Sequence, residues 1–279
     1  MLIGIVEFAG AGYAVFVGLL YLLQRRLIYR PDRPERSRPV LGPLAELGVR
    51  EIAFATADGL ELFSWYRPPP ANAPVILYCH GNGGHIGYRA GRLGRFVEAG
   101  YGALMLEYRG YGGNPGRPTE QGLYADGAAA LAFLGREGIA RERIVVYGES
   151  LGGAVAVRLA LACRPGALVL ECPFTSLVDI GRLRFPFVPV RLLLRDRFEL
   201  ISAVGGVAAP VLVLHGERDG IVPVACGRAV LAAASEPKEG WFAPQARHMN
   251  LADFGGLDAV FDFLARRLGD CHRERSEAI

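Results

Sequence analysis

Ser150 lies in a Gly-x-Ser-x-Gly pattern with Gly148 and Gly152. These residue types at this spacing suggest a nucleophilic serine. The apolar run 144–147 precedes the pattern and residues with helical spacing follow it, so the serine is predicted at a sharp strand–turn–helix junction. Glycine is needed on both sides because a Cβ would clash where the strand and the helix approach each other. This context favours a nucleophile over a chance match in a chain with 37 glycines.

A serine hydroxyl is a weak nucleophile that needs an imidazole to accept its proton and a carboxylate to orient the imidazole. Of the five histidines, His248 lies in a loop after the last predicted strand, which makes it the predicted base. Asp219 is the preferred acid because it follows a clear strand and begins an Asp-Gly turn, although a turn-forming aspartate is the alternative. Glu171 directly follows another strand and remains the more serious rival. Two further candidates have weaker contexts, Asp179 and Asp196.

Backbone N–H groups near the serine are predicted to form an oxyanion hole. The helix that begins after Ser150 leaves the N–H of Leu151 free. The His-Gly-Asn sequence at 80–82 follows a predicted strand, and Asn82 is our choice for the second donor. A phosphate-binding loop is the other interpretation of 81–84, but the sequence lacks Gly-Lys-Ser/Thr and the Gly-x-Gly-x-x-Gly spacing. Nucleotide binding is therefore discounted.

The elements that must position these residues are short apolar runs, separated by stretches long enough for a crossover helix. The runs are 75–79, 103–106, 144–147, 168–170, 211–214 and 240–243, after a hairpin at 51–56 and 60–66. Continuous apolar strands that alternate with helices predict an α/β fold with a mostly parallel central sheet and helices on both faces. The loops at the carboxyl edge of such a sheet are where ligands bind.

Residues 2–23 form a nearly unbroken apolar run whose only charge is Glu7. A helix of this length spans a hydrocarbon layer of about 30 Å, so we expect one N-terminal transmembrane helix. A cleaved signal peptide is disfavoured because no basic residue precedes the run, and Gln-Arg-Arg follows it where small residues would be expected. Six arginines follow the run and predict that the rest of the chain faces the cytoplasm. They are Arg25, Arg26, Arg30, Arg33, Arg36 and Arg38.

Composition bounds the remaining possibilities. At 279 residues and 51% hydrophobic content, the chain suits one large α/β domain with a sizeable core. The arginines after the apolar run largely account for the net charge of +3, so no nucleic-acid partner is inferred. The five cysteines lack metal-ligand or Cys-x-x-Cys spacing and are expected to be reduced and mostly buried. No metal or other cofactor is predicted.

Six motifs occur in a telling order: Gln-Arg-Arg-Leu-Ile-Tyr at 24–29, His-Gly-Asn at 80–82, Tyr-Arg-Gly-Tyr-Gly at 108–112, Gly-Glu-Ser-Leu-Gly at 148–152, Pro-Phe-Thr-Ser at 173–176 and His-Gly-Glu-Arg-Asp at 215–219. With them, the chain from about Val49 to Leu268 resembles α/β-hydrolases. The resemblance is greatest to a small membrane-anchored branch that includes eukaryotic protein depalmitoylases and bacterial relatives. It implies Ser150, Asp219 and His248 as a catalytic triad, in the α/β-hydrolase order.

Two residues depart from the pattern of this branch. Glu107 stands where relatives often have aspartate, and Arg247 precedes the predicted base where a small residue is usual. The arginine side chain is expected either to perturb the imidazole or to contact an anionic substrate.

We predict an anchor with its basic flank at 1–28, a linker at 29–46, the hydrolase domain at 47–268 and a mobile tail at 269–279. A small cap at about 177–204 contains the apolar section 185–190, which is either a lid over an acyl chain or part of the core.

Together these features predict a membrane-anchored serine hydrolase that cleaves an ester or thioester of a small-molecule or lipid-modified acyl substrate. A peptidase or amidase would use the same triad and remains open. A catalytically silent scaffold is the alternative from another class, and the intact Ser150, Asp219 and His248 argue against it. The sequence does not indicate the acyl-chain length or the oligomeric state.

Overall fold

The computed structural model describes residues 2–32, 38–70 and 72–269. Its eight strands are β1 (Arg50–Ala55), β2 (Glu61–Arg67), β3 (Val75–Cys79), β4 (Gly102–Leu106), β5 (Ile144–Glu149), β6 (Ala167–Glu171), β7 (Val211–Gly216) and β8 (Lys238–Ala243). They form one sheet in the order β1-β2-β4-β3-β5-β6-β7-β8. The pairs β1–β2 and β2–β4 are antiparallel and the others are parallel. The predicted mostly parallel sheet is confirmed.

Nine α-helices connect or flank these strands in the described part of the chain. They are α1 (Leu2–Ile28), α2 (Ala90–Glu98), α3 (Glu120–Arg136), α4 (Leu151–Cys163), α5 (Leu177–Arg184), α6 (Val190–Leu193), α7 (Ile201–Val204), α8 (Val224–Ala233) and α9 (Gly256–Leu268). Short 3₁₀ turns occupy Gly42–Ala45, Ile86–Arg89, Arg141–Arg143 and Leu251–Phe254.

Both faces of the sheet are covered, as the continuous apolar strands predicted. In β3, Leu77 belongs to one core cluster, while its neighbours Ile76 and Tyr78 belong to the other. Helices α3, α4 and α8 pack on the first face, and α2 and α9 pack on the second. Side chains alternate between faces along a strand, so a strand buried on both faces has no polar alternation in its sequence.

Helix α1 contains the apolar stretch Gly10–Ile28, which is long and apolar enough to cross a membrane. Little of that stretch is buried within the protein. The helix continues through Arg25 and Arg26, which occupy its last turn. The predicted single apolar N-terminal helix is therefore present.

The described ends of the predicted linker pack against the domain instead of extending freely. Tyr29 is buried in the core, and Arg30 pairs with Gly83 in an isolated parallel bridge. Leu44 is buried in the second core cluster. The proline and arginine content of 29–46 did not reveal these contacts because their partners are distant in sequence. Residues 33–37 of this segment, and 270–279 of the predicted tail, lie outside the described residues.

Candidate active site

Ser150 connects β5 to α4 in a strained backbone conformation, with φ at 51° and ψ at −113°. Its N–H donates to the carbonyl of Glu171 at 2.8 Å, which ties the turn to the neighbouring strand. A Cβ at Gly148 would lie 2.5 Å from Gly152 O, and a Cβ at Gly152 would lie 2.0 Å from Cys79 O. Both glycines are thus required by close backbone approach, which is the reason the sequence pattern needs them.

The three residues proposed as a triad lie in one chain of hydrogen-bonding contacts. Nε2 of His248 is 3.0 Å from Oγ of Ser150. Nδ1 of the same ring is 2.6 Å from Oδ2 of Asp219. Because the carboxylate accepts a hydrogen bond from Nδ1–H, that nitrogen keeps its proton and Nε2 is left free to accept the proton of the serine hydroxyl. His248 and Asp219 are both buried, and they come from loops after β8 and β7.

The Asp219 carboxylate is held by donors on both oxygens. Oδ1 accepts from the N–H groups of Ile221 and Val222 at 2.8 and 2.9 Å. Oδ2 lies 3.1 Å from Nε2 of His215, in addition to its contact with His248. Burial raises the pKa of the Asp219 carboxyl, but the hydrogen bonds from His215 and His248 outweigh burial and hold the pKa well below its usual range. The group therefore stays ionised beside the imidazole.

Asp219 and two buried side chains beside it have the chemistry of metal ligands. Ligand atoms of Cys172, His215 and Asp219 lie within 4.8 Å of one another. Both Asp219 oxygens already accept hydrogen bonds, and burial raises the pKa of the Cys172 thiol far above its ordinary value. The contacts of Asp219 are those of a carboxylate that orients the His248 imidazole.

The carboxylate of Glu171, the rival acid, bonds to residues other than His248. The carboxylate accepts a hydrogen bond from Nη2 of Arg92 at 2.9 Å. It also contacts Nη1 of Arg92 and the Tyr147 hydroxyl. The other candidates also have separate partners. Asp179 accepts from Ser176 at the start of α5, and Asp196 pairs with Arg25.

The loop after β3 lies beside Ser150, and its backbone faces the same cleft. Within the described residues, the N–H groups of Asn82 and Leu151 have no acceptor in the protein. Free N–H groups at a helix start and in an adjacent glycine-rich loop are the donors that an oxyanion requires. Both predicted donors, Asn82 and Leu151, thus have backbone N–H groups without an acceptor among the described residues.

His80 and Glu107 are buried together beneath this loop. Nδ1 of His80 lies 2.6 Å from Gly81 O, and Nε2 lies 3.1 Å from Oε1 of Glu107. The other carboxylate oxygen, Oε2, accepts the N–H of Ile86 at 2.9 Å. Glu107 thus fixes both ends of the loop. The remaining histidine at this edge, His85, caps the 3₁₀ turn by accepting from Gly87 N at 3.0 Å.

An ion pair that the sequence analysis missed lies directly under the nucleophile. Arg89 donates to Glu149 through Nη2 at 2.7 Å and Nε at 3.2 Å. Its Nη1 also donates to Gly83 O at 2.8 Å, and the Tyr78 hydroxyl contacts the same glutamate. The sequence did contain a signal for this ion pair, because Glu149 lies between the first glycine and the serine of the motif. A charged residue buried at that position needs a partner of opposite charge.

The cleft that contains Ser150 and His248 has a volume of about 730 Å³. Exposed apolar side chains of Ile221 and Met249 form part of its rim. Its described lining includes no residue from the predicted cap at 177–204. The apolar section 185–190 therefore does not cover the serine, and it packs beside α1 instead.

A strand–serine–helix turn on a mostly parallel sheet, followed in order by Asp and His loops, defines the α/β-hydrolase class. Residues 70–194 match the family model described as serine aminopeptidase, S33. An uncharacterized protein of Mycobacterium tuberculosis is 40% identical over 269 residues, which cover 94% of this chain and 93% of that protein. Human alpha/beta hydrolase domain-containing protein 17B is 31% identical over 205 residues, covering 72% of this chain and 70% of the human protein.

Among solved structures, the Pyrococcus furiosus esterase Pf2001 has the same fold, with a TM-score of 0.70 at 19% identity. The match covers 86% of this chain and 100% of the esterase chain. The chain belongs to the α/β-hydrolase superfamily and, within it, to the depalmitoylase-like branch that its motifs indicated. The family resemblance drawn from the six motifs is confirmed.

Proposed function

We propose that the protein is a membrane-anchored serine hydrolase that cleaves an ester or thioester through an acyl-enzyme intermediate. The observation that carries this proposal is the continuous chain of contacts from Ser150 Oγ through the His248 ring to Asp219. In this mechanism His248 takes the serine proton as Oγ attacks the acyl carbonyl, and the N–H groups of Asn82 and Leu151 stabilise the oxyanion. The protonated imidazole then gives its proton to the leaving group, and water releases the acyl group by the reverse sequence.

A peptidase or amidase is the second candidate, and the description of the matching family model favours it. The same triad serves both reactions, and they differ in the leaving group that His248 protonates. A silent scaffold would not need an ionised, fully bonded Asp219 aimed at the imidazole. Comparison of kcat/KM for p-nitrophenyl acyl esters, acyl thioesters and aminoacyl anilides distinguishes the candidate reactions.

The proposed membrane anchor is α1, whose apolar stretch has the length and composition of a membrane span. Under the positive-inside rule, the arginines at its end support a cytoplasmic location for the hydrolase domain. A catalytic domain tethered in this way meets acyl substrates at the membrane surface. Small lipids and lipid-modified proteins are the substrate classes that fit.

Labelling by a fluorophosphonate probe tests the proposed nucleophile. We expect the purified wild type to be labelled and Ser150→Ala to be unlabelled, with turnover of esters reduced by roughly 10⁶. Ser202→Ala is the matched control because Ser202 is exposed and its hydroxyl donates to the nearby backbone carbonyl of Glu199. Labelling of Ser150→Ala at the wild-type level would rule out this nucleophile.

A further inference from the structure

The apolar section of the cap lies along the helix proposed as the membrane anchor. The Tyr13 hydroxyl donates to the carbonyl of Phe187 at 2.6 Å. Further along the helix, Arg25 pairs with Asp196 at 2.8 Å. Between these points, the side chain of Gln24 donates to Leu193 O and accepts from Arg195 N. The cap and α1 are therefore fixed to each other along about three helical turns.

This arrangement determines where the cap lies if α1 crosses a bilayer. Residues 13–25 extend about 18 Å along a helix, and the hydrocarbon layer is about 30 Å thick. With Arg25 at the edge of the hydrocarbon, Phe187 lies near the bilayer midplane for an upright helix, and nearer the surface for a tilted one. With Tyr13 at the edge instead, residues 2–12 supply only about 17 Å, which is too short for a span. A spanning α1 consequently brings the cap tip below the surface of the membrane.

The chemistry of the cap tip suits that position. Phe187 and Leu192 are 86% and 83% exposed, although they are large and apolar. Helix α1, against which the cap packs, also has exposed apolar side chains, including Leu19 and Leu22. Between Asp179 and Asp196 the sequence has four arginines and no acidic residue. Apolar side chains flanked by arginines are typical of segments that insert at an anionic membrane surface.

We propose that 185–193 is a second membrane-insertion segment, which enters the hydrocarbon of the same leaflet from which α1 emerges. This inference rests on the proposed anchoring of α1. Lipid is the occupant because the exposed surface is continuous with a helix that would itself be surrounded by lipid. Helix α1 is then not a flexible tether, and the catalytic domain has one fixed orientation on the membrane.

The inserted segment is linked to the rim of the active-site cleft. Nη2 of Arg184 donates to Gly220 O at 3.0 Å and to Ile221 O at 3.3 Å. Ile221 lines the cleft and donates its N–H to Asp219. Insertion of the cap therefore holds the apolar rim of the cleft close to the lipid surface, where an acyl chain leaves the bilayer.

Tryptophan quenching by brominated lipids tests the proposal on the full chain in vesicles that contain anionic lipid. Phe187→Trp reports on the cap, Val15→Trp on α1, and Glu98→Trp, at the end of α2, serves as the control away from the cap. Emission is compared with the parent chain, which contributes Trp65 and Trp241. Fluorophosphonate labelling verifies that each variant is folded.

We expect blue-shifted, quenched emission from the Phe187→Trp and Val15→Trp variants and no quenching of the control. Quenching at position 15 without quenching at position 187 would overturn the insertion of the cap and leave the anchor intact. A blue shift at position 187 without quenching would also overturn it, since a protein contact would then cover the site. Absence of quenching at position 15 would refute the anchoring itself, and with it this inference.

An activity assay gives a second readout. The double variant Phe187→Glu with Leu192→Glu is expected to raise KM for a vesicle-borne ester roughly tenfold or more, the scale of removing large apolar side chains from hydrocarbon. Its kcat for a water-soluble ester should stay at the wild-type value because neither residue lines the cleft. Phe187→Leu keeps the apolar character and is the matched control. Equal KM values for vesicle-borne ester in all three proteins would contradict the proposal.

Discussion

The side-chain amide of Asn82 donates a hydrogen bond of 2.8 Å to the backbone carbonyl of Ile28, the last residue of α1. The chain after the helix continues this contact, because Arg30 N donates to Asn82 O at 2.9 Å and Gly84 N donates to Arg30 O at 3.1 Å. The loop proposed to stabilise the oxyanion is thus built partly on the end of the proposed anchor. The position of one affects the position of the other.

Asn82→Ala tests this coupling, because it keeps the backbone N–H of the loop and removes the bond to Ile28. We expect kcat to fall roughly tenfold with little change in KM, which is less than the roughly 10²–10³ lost when an oxyanion donor is removed. Steady-state kinetics on a soluble ester measure both constants. A kcat equal to that of the wild type would mean that the contact with Ile28 does not position the donor.

The assignment of the acid predicts different losses for two carboxylates. Asp219→Asn should reduce kcat by about 10⁴, because the imidazole loses its correct tautomer and orientation. Glu171→Gln should retain most of the turnover of the folded enzyme, since Glu171 bonds to Arg92 and Tyr147 and not to His248. This substitution should instead lower the free energy of unfolding, because breaking a buried ion pair typically costs about 3–5 kcal/mol.

Turnover per probe-reactive molecule, together with urea unfolding of each variant, separates these effects. Severe loss of turnover in folded Glu171→Gln, with near-normal turnover in Asp219→Asn, would reverse the assignment.

The ion pair under the nucleophile predicts a pH dependence of stability. Burial of Glu149 raises its pKa, but the charge and hydrogen bonds of Arg89 outweigh burial and lower the pKa to about 2, from an ordinary value of 4.5. A carboxyl whose pKa is depressed in the folded state contributes its full stability above the unfolded pKa. That contribution is lost as the pH falls from about 4.5 towards 2.

Glu149→Gln should therefore be less stable than the wild type at neutral pH by about 3–5 kcal/mol, the usual cost of removing one member of a buried pair. The difference should shrink as the pH falls below 4.5. Urea unfolding at several pH values measures it. A difference that stays constant from about pH 6 to about pH 3 would contradict the predicted ionisation of Glu149.

The fold followed from the sequence because each strand carries its own signal. The predicted run 75–79 coincides with β3, whereas β5 and β6 extend to Glu149 and Glu171. These two glutamates are register neighbours, and polar residues at the end of an apolar run gave no reason to continue the strands. The last helical stretch is divided at Gly255, whose φ of 88° separates a 3₁₀ turn from α9.

The triad candidates could be proposed from the sequence because each follows a strand whose carboxyl end lies at the same sheet edge. The contacts of α1 could not, because they join residues far apart in the chain. Tyr13 and Phe187 are 174 positions apart, and Asn82 and Ile28 are 54 apart. Composition identified 185–190 as apolar, and the sequence analysis offered two roles for it, a lid over an acyl chain or part of the core. Packing against α1 was not among these alternatives.

The orientation of the domain is the last prediction, and it depends on the arginines that follow the apolar run. Each arginine costs roughly 2.5–3.5 kcal/mol at the bilayer centre on insertion scales, so the six at 25–38 resist translocation. Glu7 precedes the apolar stretch Gly10–Ile28 of α1 and therefore does not interrupt it. We expect the hydrolase domain in the cytoplasm.

A reporter fused after Ile279 in intact cells measures the orientation, with one reporter active only inside the cytoplasm and another active only outside. The wild type should give only the cytoplasmic signal. The control replaces Arg33, Arg36 and Arg38 by Gln and adds three arginines after Met1, which leaves the contacts of Arg25 and Arg30 in place. This reversal of the charge difference should produce a mixed signal, because orientation follows the arginine bias across the span. An external signal alone from the wild type would refute the cytoplasmic orientation, and the enzyme would then meet acyl substrates outside the cell membrane.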